Sequence, residues 1–333
     1  MKISKISKIE NKNFKLESSL LFDGILVGLV AGIVGASYRL LIGYSEKLVH
    51  YTADFIKTGF IYKIGLLLIL ILLALFSGFL LKREPMASGS GIPQVSAEIT
   101  GRLNSNPFRV LIYKITGGLT ASIGGLSLGR EGPSIQLGAM SGKLVSRILK
   151  KDSVKEKYLI TCGASAGLSI AFGAPLAGVL FSIEEVHKQI TKKIVICCFS
   201  AAVVANIVGQ YIFGLTAIFK FPEIPYVEVS IYPWVVLLGI LLGIFGTFYN
   251  VTIKILFKIY EYFKLNIVFR PQVAFLISFV LFICYPIVLG SGHSLVEFLI
   301  ENKFSFLFLL TLYFIKTLFS LISFTSGVAG GIF

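Results

Sequence analysis

Charge is scarce in this sequence, and acid is scarcer than base. Of 333 residues only 14% are charged, and 17 Asp and Glu face 31 Lys and Arg. Soluble domains carry about 25% charged residues, so a water-exposed surface over most of the chain is excluded. Cysteine is sparse too. Cys162, Cys197, Cys198 and Cys284 lie in apolar runs without metal-ligand spacing, which reads as buried free thiols and leaves no metal site. No HExxH, GxSxG or paired-aspartate motif is present, so the chain is not read as an enzyme and no cofactor is expected. Short alternating strands are missing as well, which argues against a β-barrel.

What the sequence has is apolar length. Hydrophobic residues make up 55%, with charge-free runs at Tyr158–Ile183, Ile194–Phe219, Tyr232–Ile253 and Val273–Leu289, and a run at Phe304–Thr325 broken only by Lys316. About 20 apolar residues in a helix cross about 30 Å of hydrocarbon, and several segments qualify. The fold class is an all-α polytopic membrane protein. Helices are expected over 20–48, 58–82, 91–101, 108–125, 132–150, 155–170, 176–189, 191–215, 231–263, 271–288, 293–302 and 304–325. Several are too short to span a bilayer. Broken helices at membrane depth are tolerated only where they are buried in protein or line a cavity.

The net charge of +14 fits the positive-inside bias of membrane loops rather than nucleic-acid binding. Lysines crowd the N-terminus, 143–157 and 188–193, which marks these stretches as a cytoplasmic face. Residues 1–19 lack the short apolar core and cleavage site of a secretory signal and read as a cytosolic lead. A linker at 220–230, with Pro222 and Pro225, separates a first membrane repeat at 20–219 from an incomplete second repeat at 231–333.

The repeat is visible in the glycines. Gly89-Ser90-Gly91 recurs as Gly290-Ser291-Gly292, 201 residues on, and Gly129–Pro133 has its counterpart at Gly330–Phe333 at the same offset. Lys114 and Lys316 fall between the turns of each half. Glycine-interrupted apolar segments at matching positions of two halves point to a transporter site at the repeat interface. A helix starting at Gly91 offers free N–H groups and a positive dipole end to an anion, and the Ser90 hydroxyl can donate to it. Glu131, in Gly129-Arg130-Glu131-Gly132-Pro133, would sit at another such end, taking an anion's place until protonated. An ionisable residue at membrane depth is a functional candidate. Arg130 would support the loop or the local potential. Glu184 and Glu185 end an apolar helix, where one could accept a proton from the cytosol. Plainer readings stand beside these: Ser90 and Glu131 as helix caps, and Glu184 with Glu185 as a solvated helix end.

At these residues the chain resembles the CLC family of chloride channels and chloride/proton antiporters. GSGIP at 89–93, GREGP at 129–133 and GGIF at 330–333 stand in order, supported by APLAG and IEE within 174–185. The resemblance runs from about residue 20 to the last residue. It implies a CLC-type fold of inverted-topology repeats, with broken, re-entrant helices whose N-termini meet at a central anion site. Ser90, Gly91, Ile92, Glu131, Gly132, Ile332 and Phe333 would form that site. Glu131 would be the external gating glutamate, Glu185 the internal proton-transfer glutamate, and Lys114 and Arg130 would set the potential. The implied function is exchange of chloride for protons. The rivals are a passive chloride channel of the same family and a non-transporting remnant or assembly partner. Pro133 and Ser90 disfavour the fluoride and nitrate branches. The implied partners are chloride, protons, the lipid bilayer and a second copy in a homodimer. The implied location is the plasma (inner) membrane of a bacterium, with multiple passes.

The chain departs from the family in three places. Gly173 replaces a usual asparagine, a change expected to alter helix packing. Gln94 stands where glutamate is common. The family continues past GGIF with further helices, so the chain is expected to be C-terminally truncated, a partial sequence or one piece of a longer protein.

Overall fold

The computed structural model describes residues 2–215 and 228–332, with side chains from Glu17 onward. Most of the expected linker at 220–230 therefore lies outside the described residues. Within them the chain is helical, with one isolated backbone bridge and no strand. The first half holds α1 (Lys2–Phe55), α2 (Phe60–Arg83), α3 (Ile92–Ile99), α4 (Pro107–Ile123), α5 (Glu131–Ile148), α6 (Ser153–Phe172), α7 (Pro175–Phe181) and α8 (Lys192–Phe213). The second holds α9 (Tyr232–Tyr262), α10 (Arg270–Cys284), α11 (His293–Glu301) and α12 (Phe306–Thr325). Five segments are long and apolar enough to cross a membrane: Glu17–Thr58, Phe60–Arg83, Lys192–Phe213, Val229–Tyr262 and Phe306–Thr325.

Two expectations change. The lead at 1–19 and the helix at 20–48 are one continuous helix, because no proline interrupts the chain from Lys2 to Phe55. The single helix expected over 176–189 ends at Phe181 and widens into a π-helical turn, Ser182–His187. That turn closes where the Lys188 N–H donates to Ile183 O at 2.8 Å, with Lys188 in the left-handed region. π-Turns of this kind occur often at functional sites.

Packing depends on small residues. α5 is buried from Gly132 to Lys143 and lies antiparallel to α6. Gly138 and Gly142 face Gly163, Gly167 and Leu159 so closely that a Cβ on any of these glycines would collide with the opposite backbone. Gly24, Gly28 and Gly32, one helical turn apart on α1, meet α8 at Cys197, Ala201 and Ala205 in the same way. In lipid no hydrophobic force drives helices together, so close backbone approach supplies the dispersion that does. Ser165 and Ser169 of α6 add hydroxyl donors to Cys198 O and Ala202 O of α8, at 3.4 and 2.8 Å. Three cysteines are buried as expected. Cys284 is exposed instead, because it ends α10 at the outer surface of the bundle.

Two buried carboxylates, Glu98 and Asp23, are paired with lysines. Lys143 of α5 bonds Glu98 of α3, and Glu98 also accepts from Ser105 N at 2.7 Å and Ser105 Oγ at 2.5 Å. At one end of the bundle Lys151 pairs with Asp23 at 2.7 Å and Lys192 with Glu17 at 2.9 Å. The basic stretches near 150 and 190 thus share a face with the start of the first membrane crossing.

The repeat survives in atomic detail. Gly89 and Gly91 have φ of 57° and 88°, and Gly290 and Gly292 have 76° and 100°, a backbone region that favours glycine. A short 3₁₀ turn precedes each pair, Pro85–Ala87 and Pro286–Val288. Lys114 Nζ donates to Ala87 O at 3.1 Å and Gly89 O at 2.6 Å. Lys316 Nζ donates to Val288 O at 2.8 Å and Gly290 O at 2.7 Å. Each lysine therefore fastens the turn of its own half.

Two predictions follow from this packing. Gly142→Val should lower the melting temperature in detergent and deplete the monodisperse fraction, because overpacking costs about 1–3 kcal/mol even where neighbours can yield. Gly65→Ala, at a position with open space, should be neutral. Equal melting of both variants would contradict the assigned close approach. Lys114→Met should also destabilise the protein. It strands two carbonyls in the turn below Ser90, at about 1–3 kcal/mol for each buried group left unsatisfied. An unchanged melting temperature would show that water replaces the ammonium there.

Candidate functional site

Four backbone turns converge at the centre of the molecule. Gly129 and Gly331 exchange two hydrogen bonds, N–H to O at 2.9 Å one way and 2.8 Å the other. Gly89 N donates to Gly327 O at 3.3 Å, and its counterpart Gly290 N donates to Gly125 O at 3.0 Å. Gly330 N closes the knot on Gly89 O at 3.0 Å. These contacts bring the loop after α12 between the starts of α3 and α5, the two helices whose first N–H groups have no intrahelical partner.

Around this knot the sequence-predicted residues gather. Gly91 is the N-cap of α3, and Ile92 is its first residue. Ser90 Oγ accepts from Ile92 N at 3.4 Å, which leaves the hydroxyl hydrogen to be donated elsewhere. A Cβ at Gly132 would press on Ser90 at 2.8 Å, so the Ser90 turn and the start of α5 touch. Glu131 opens α5, with Arg130 as its N-cap, and its Oε2 is buried without a hydrogen-bond partner among the described residues. A buried, unpartnered carboxylate oxygen costs free energy and needs an explanation. Ile332 lines a cavity of about 570 Å³ together with Gly331, Gly129, Ser127, Ser291 and Lys316. Phe333 lies outside the described residues. Lys114 is fully buried directly below the Ser90 turn, which it fastens.

Glu185 is elsewhere. It is exposed in the π-turn, where His187 Nδ1 meets Thr161 Oγ1 at 2.8 Å. The antiparallel match of Gly167 to Ser134 and Gly142 to Leu159 sets Glu131 level with the end of α6 and Thr161 about nine residues lower. At 1.5 Å per residue the two levels are about 14 Å apart. The two glutamates are not in contact, and a proton passing between them needs intermediate carriers.

Gln136, Tyr38 and Glu46 were not singled out from the sequence, whereas Gln94 and Gly173 were. Gln136 Nε2 donates to Met86 O at 2.7 Å and Gln94 Nε2 to Ser88 O at 3.0 Å, while both amide oxygens are buried without a hydrogen-bond partner among the described residues. Gln94, where glutamate is common, thus acts as a donor that braces the Ser90 turn. Tyr38 of α1 is buried beside Gly118 and borders a small space with Gly129, Arg130 and Gly330. Glu46 of α1 accepts from Ser291 N at 3.3 Å and from Ser291 Oγ at 2.5 Å. Glu46 is one of several carboxylates on α1, so no local signal singled it out. Gly173, expected to alter packing, is a left-handed C-cap with φ of 64° and open space at its Cβ. Asparagine also tolerates that conformation, so the difference leaves helix packing untouched.

Comparison with known proteins agrees with this geometry. A family model described as voltage gated chloride channel matches residues 73–333. The H(+)/Cl(-) exchange transporter ClcA of Vibrio cholerae is 34% identical over 339 residues, covering 96% of this chain and 70% of that protein. ClcA of Vibrio vulnificus is 33% identical, covering 95% and 69%. Among solved structures, a slow cyanobacterial Cl⁻/H⁺ antiporter superposes with a TM-score of 0.85 at 28% identity, over 94% of this chain and 75% of that one. A CLC-type fluoride/proton antiporter shares the fold, with a TM-score of 0.73 at 19% identity over 94% and 77%. The knotted glycine turns, the helix starts around Ser90 and Glu131, and these matches lead to one conclusion: the chain belongs to the voltage-gated chloride channel (CLC) family and is a multi-pass integral membrane protein.

Proposed function

We propose that this protein exchanges chloride for protons, with the anion seated among the starts of α3 and α5 and the loop at Gly331–Ile332. The observation that carries this reading is Glu131, whose buried Oε2 has no hydrogen-bond partner among the described residues where these elements meet. The relatives named as H(+)/Cl(-) exchange transporters and the cyanobacterial antiporter support it.

The chemistry follows from the helix ends. N–H groups at Gly91, Ile92 and Gly132, with the Ser90 hydroxyl, offer partial positive charge and no full cation within the seat itself. Binding is then favourable enough for entry and weak enough for release. Ionised Glu131 competes with chloride for these donors. A proton added to its carboxylate removes the negative charge, the side chain leaves the seat, and an anion takes its place. Acid on the outer side therefore speeds anion entry. Lys114 and Arg130 bias the seat towards anions. Glu185, in the exposed π-turn among the basic segments, exchanges protons with the cytosolic side. A passive channel would use the same anion seat, and only proton coupling through Glu185 distinguishes the two. The reading includes a homodimer in the plasma membrane of a bacterium; the bacterial origin of the relatives supports the location.

Reconstituted vesicles test it. Wild type should move protons uphill when driven by a chloride gradient. Glu131→Gln should keep chloride movement and lose proton coupling, and Glu185→Gln should suppress proton flux while sparing chloride binding. Chloride flux without protons in the wild type would establish the channel reading instead. Ser90→Pro removes one hydroxyl donor worth about 1 kcal/mol. It should shift preference from chloride towards nitrate by up to about tenfold, the factor that about 1.4 kcal/mol carries. An unchanged chloride-to-nitrate ratio would remove Ser90 from the seat.

A further inference from the structure

Each glycine-serine turn faces a carboxylate. The Ser90 turn of the first half touches the start of α5 beside Glu131. The Ser291 turn of the second half holds Glu46, through both its N–H and its hydroxyl. Glu46 comes from α1, 245 residues away in sequence, so this is a contact between halves and not a local cap. Ser291 also lines the 570 Å³ cavity that reaches Gly129, Gly331 and Ile332. Arg130 and Glu46 are among the charged groups close enough to act on Glu131.

Position along α1 sets the side. Asp23 pairs with Lys151 in the basic face. Glu46 lies 23 residues farther, about 35 Å at 1.5 Å per residue. Tyr38, which feels the charges of Glu131 and Arg130, is eight residues before Glu46, about 12 Å. Glu46 therefore stands between Glu131 and the face opposite the basic one.

We propose that Glu46 is a second proton-exchanging carboxylate of the transport cycle, a relay residue on the outer side of Glu131 that is clamped by Ser291 when ionised. This rests on the exchanger reading above. A proton from outer water adds to the Glu46 carboxylate, and the charge-assisted bonds to Ser291 weaken. The proton then passes through cavity water to the Glu131 carboxylate. Glu46 returns to its ionised form and to Ser291, and no other bond is made or broken. The groups that face Glu46 are Ser291 and Gly290 in the turn before α11, Lys316 from α12 and, at longer range, Glu131 at the start of α5. One turn on along α1, His50 Nε2 meets Ser294 Oγ at 3.2 Å. The second turn thus presents a titratable contact surface to α1.

Glutamine separates relay from cap. E46Q keeps an oxygen that accepts from Ser291 but cannot carry a proton. In vesicles E46Q should slow coupled proton flux about tenfold at an outer pH of about 7.5, equivalent to about 1.4 kcal/mol of barrier. It should approach the wild-type rate near an outer pH of about 4.5, where water protonates Glu131 directly. S291A, which leaves Glu46 in place but loosens its clamp, should move the midpoint of the outer pH profile upward. E46Q at the wild-type rate at neutral pH would overturn the relay and leave Glu46 as a cap. So would the same slowing at every pH, or an S291A midpoint identical to wild type should E46Q fail to fold. Wild type without any chloride-coupled proton flux would bring down the exchanger reading and this inference with it; only the variants, against an active wild type, isolate the inference.

Discussion

The pair of backbone hydrogen bonds between Gly129 and Gly331 is the constraint on which the rest of the structure depends. It joins the two halves through main chain alone. Every other feature of the site is a consequence of that junction. The turns at Gly89 and Gly290 must close against Gly327 and Gly125, and in each a lysine gathers the carbonyls. α3 and α5 must begin beside the junction, which leaves their N–H groups unpaired. On the proposed reading, a weak anion site in lipid comes from the geometry of broken helices and not from added cationic side chains in the seat.

The surrounding bundle exists to hold those breaks. Glycine contacts between α5 and α6, and between α1 and α8, fix the long helices at distances that larger residues forbid. The Lys143–Glu98 pair anchors α3, a helix of 8 residues too short to be stable alone. Rigidity of the frame and exposure of the helix starts are then complementary. The frame bears the cost of carrying polar turns at membrane depth, and the turns present their dipoles in a fixed arrangement.

Much of this was legible in the sequence. The glycine turns, their 201-residue spacing, the two lysines between them and the carboxylate at Glu131 are local signals, and each lies where the spacing puts it. Features that depend on contacts between distant segments were not legible. Glu46 meets Ser291, and Gln136 meets Met86, only because the fold brings them together. Periodicity cannot distinguish an α-turn from a π-turn, so the break at Ser182 was read as continuous helix. The exposure of Cys284 and the unbroken α1 likewise depend on what packs beside them, which apolar composition does not report.

The central claim is that chloride and the Glu131 carboxylate compete for one seat, with protonation deciding the outcome. Linkage makes this measurable without transport. If chloride favours protonated Glu131, then chloride binding must draw protons from solution. The most direct measurement is proton uptake by the purified protein in weak buffer as chloride is added, with Glu131→Gln in parallel. The account predicts uptake that saturates together with chloride binding in the wild type and is absent from the variant. Chloride binding with no proton uptake, or with the same uptake in Glu131→Gln, would contradict it.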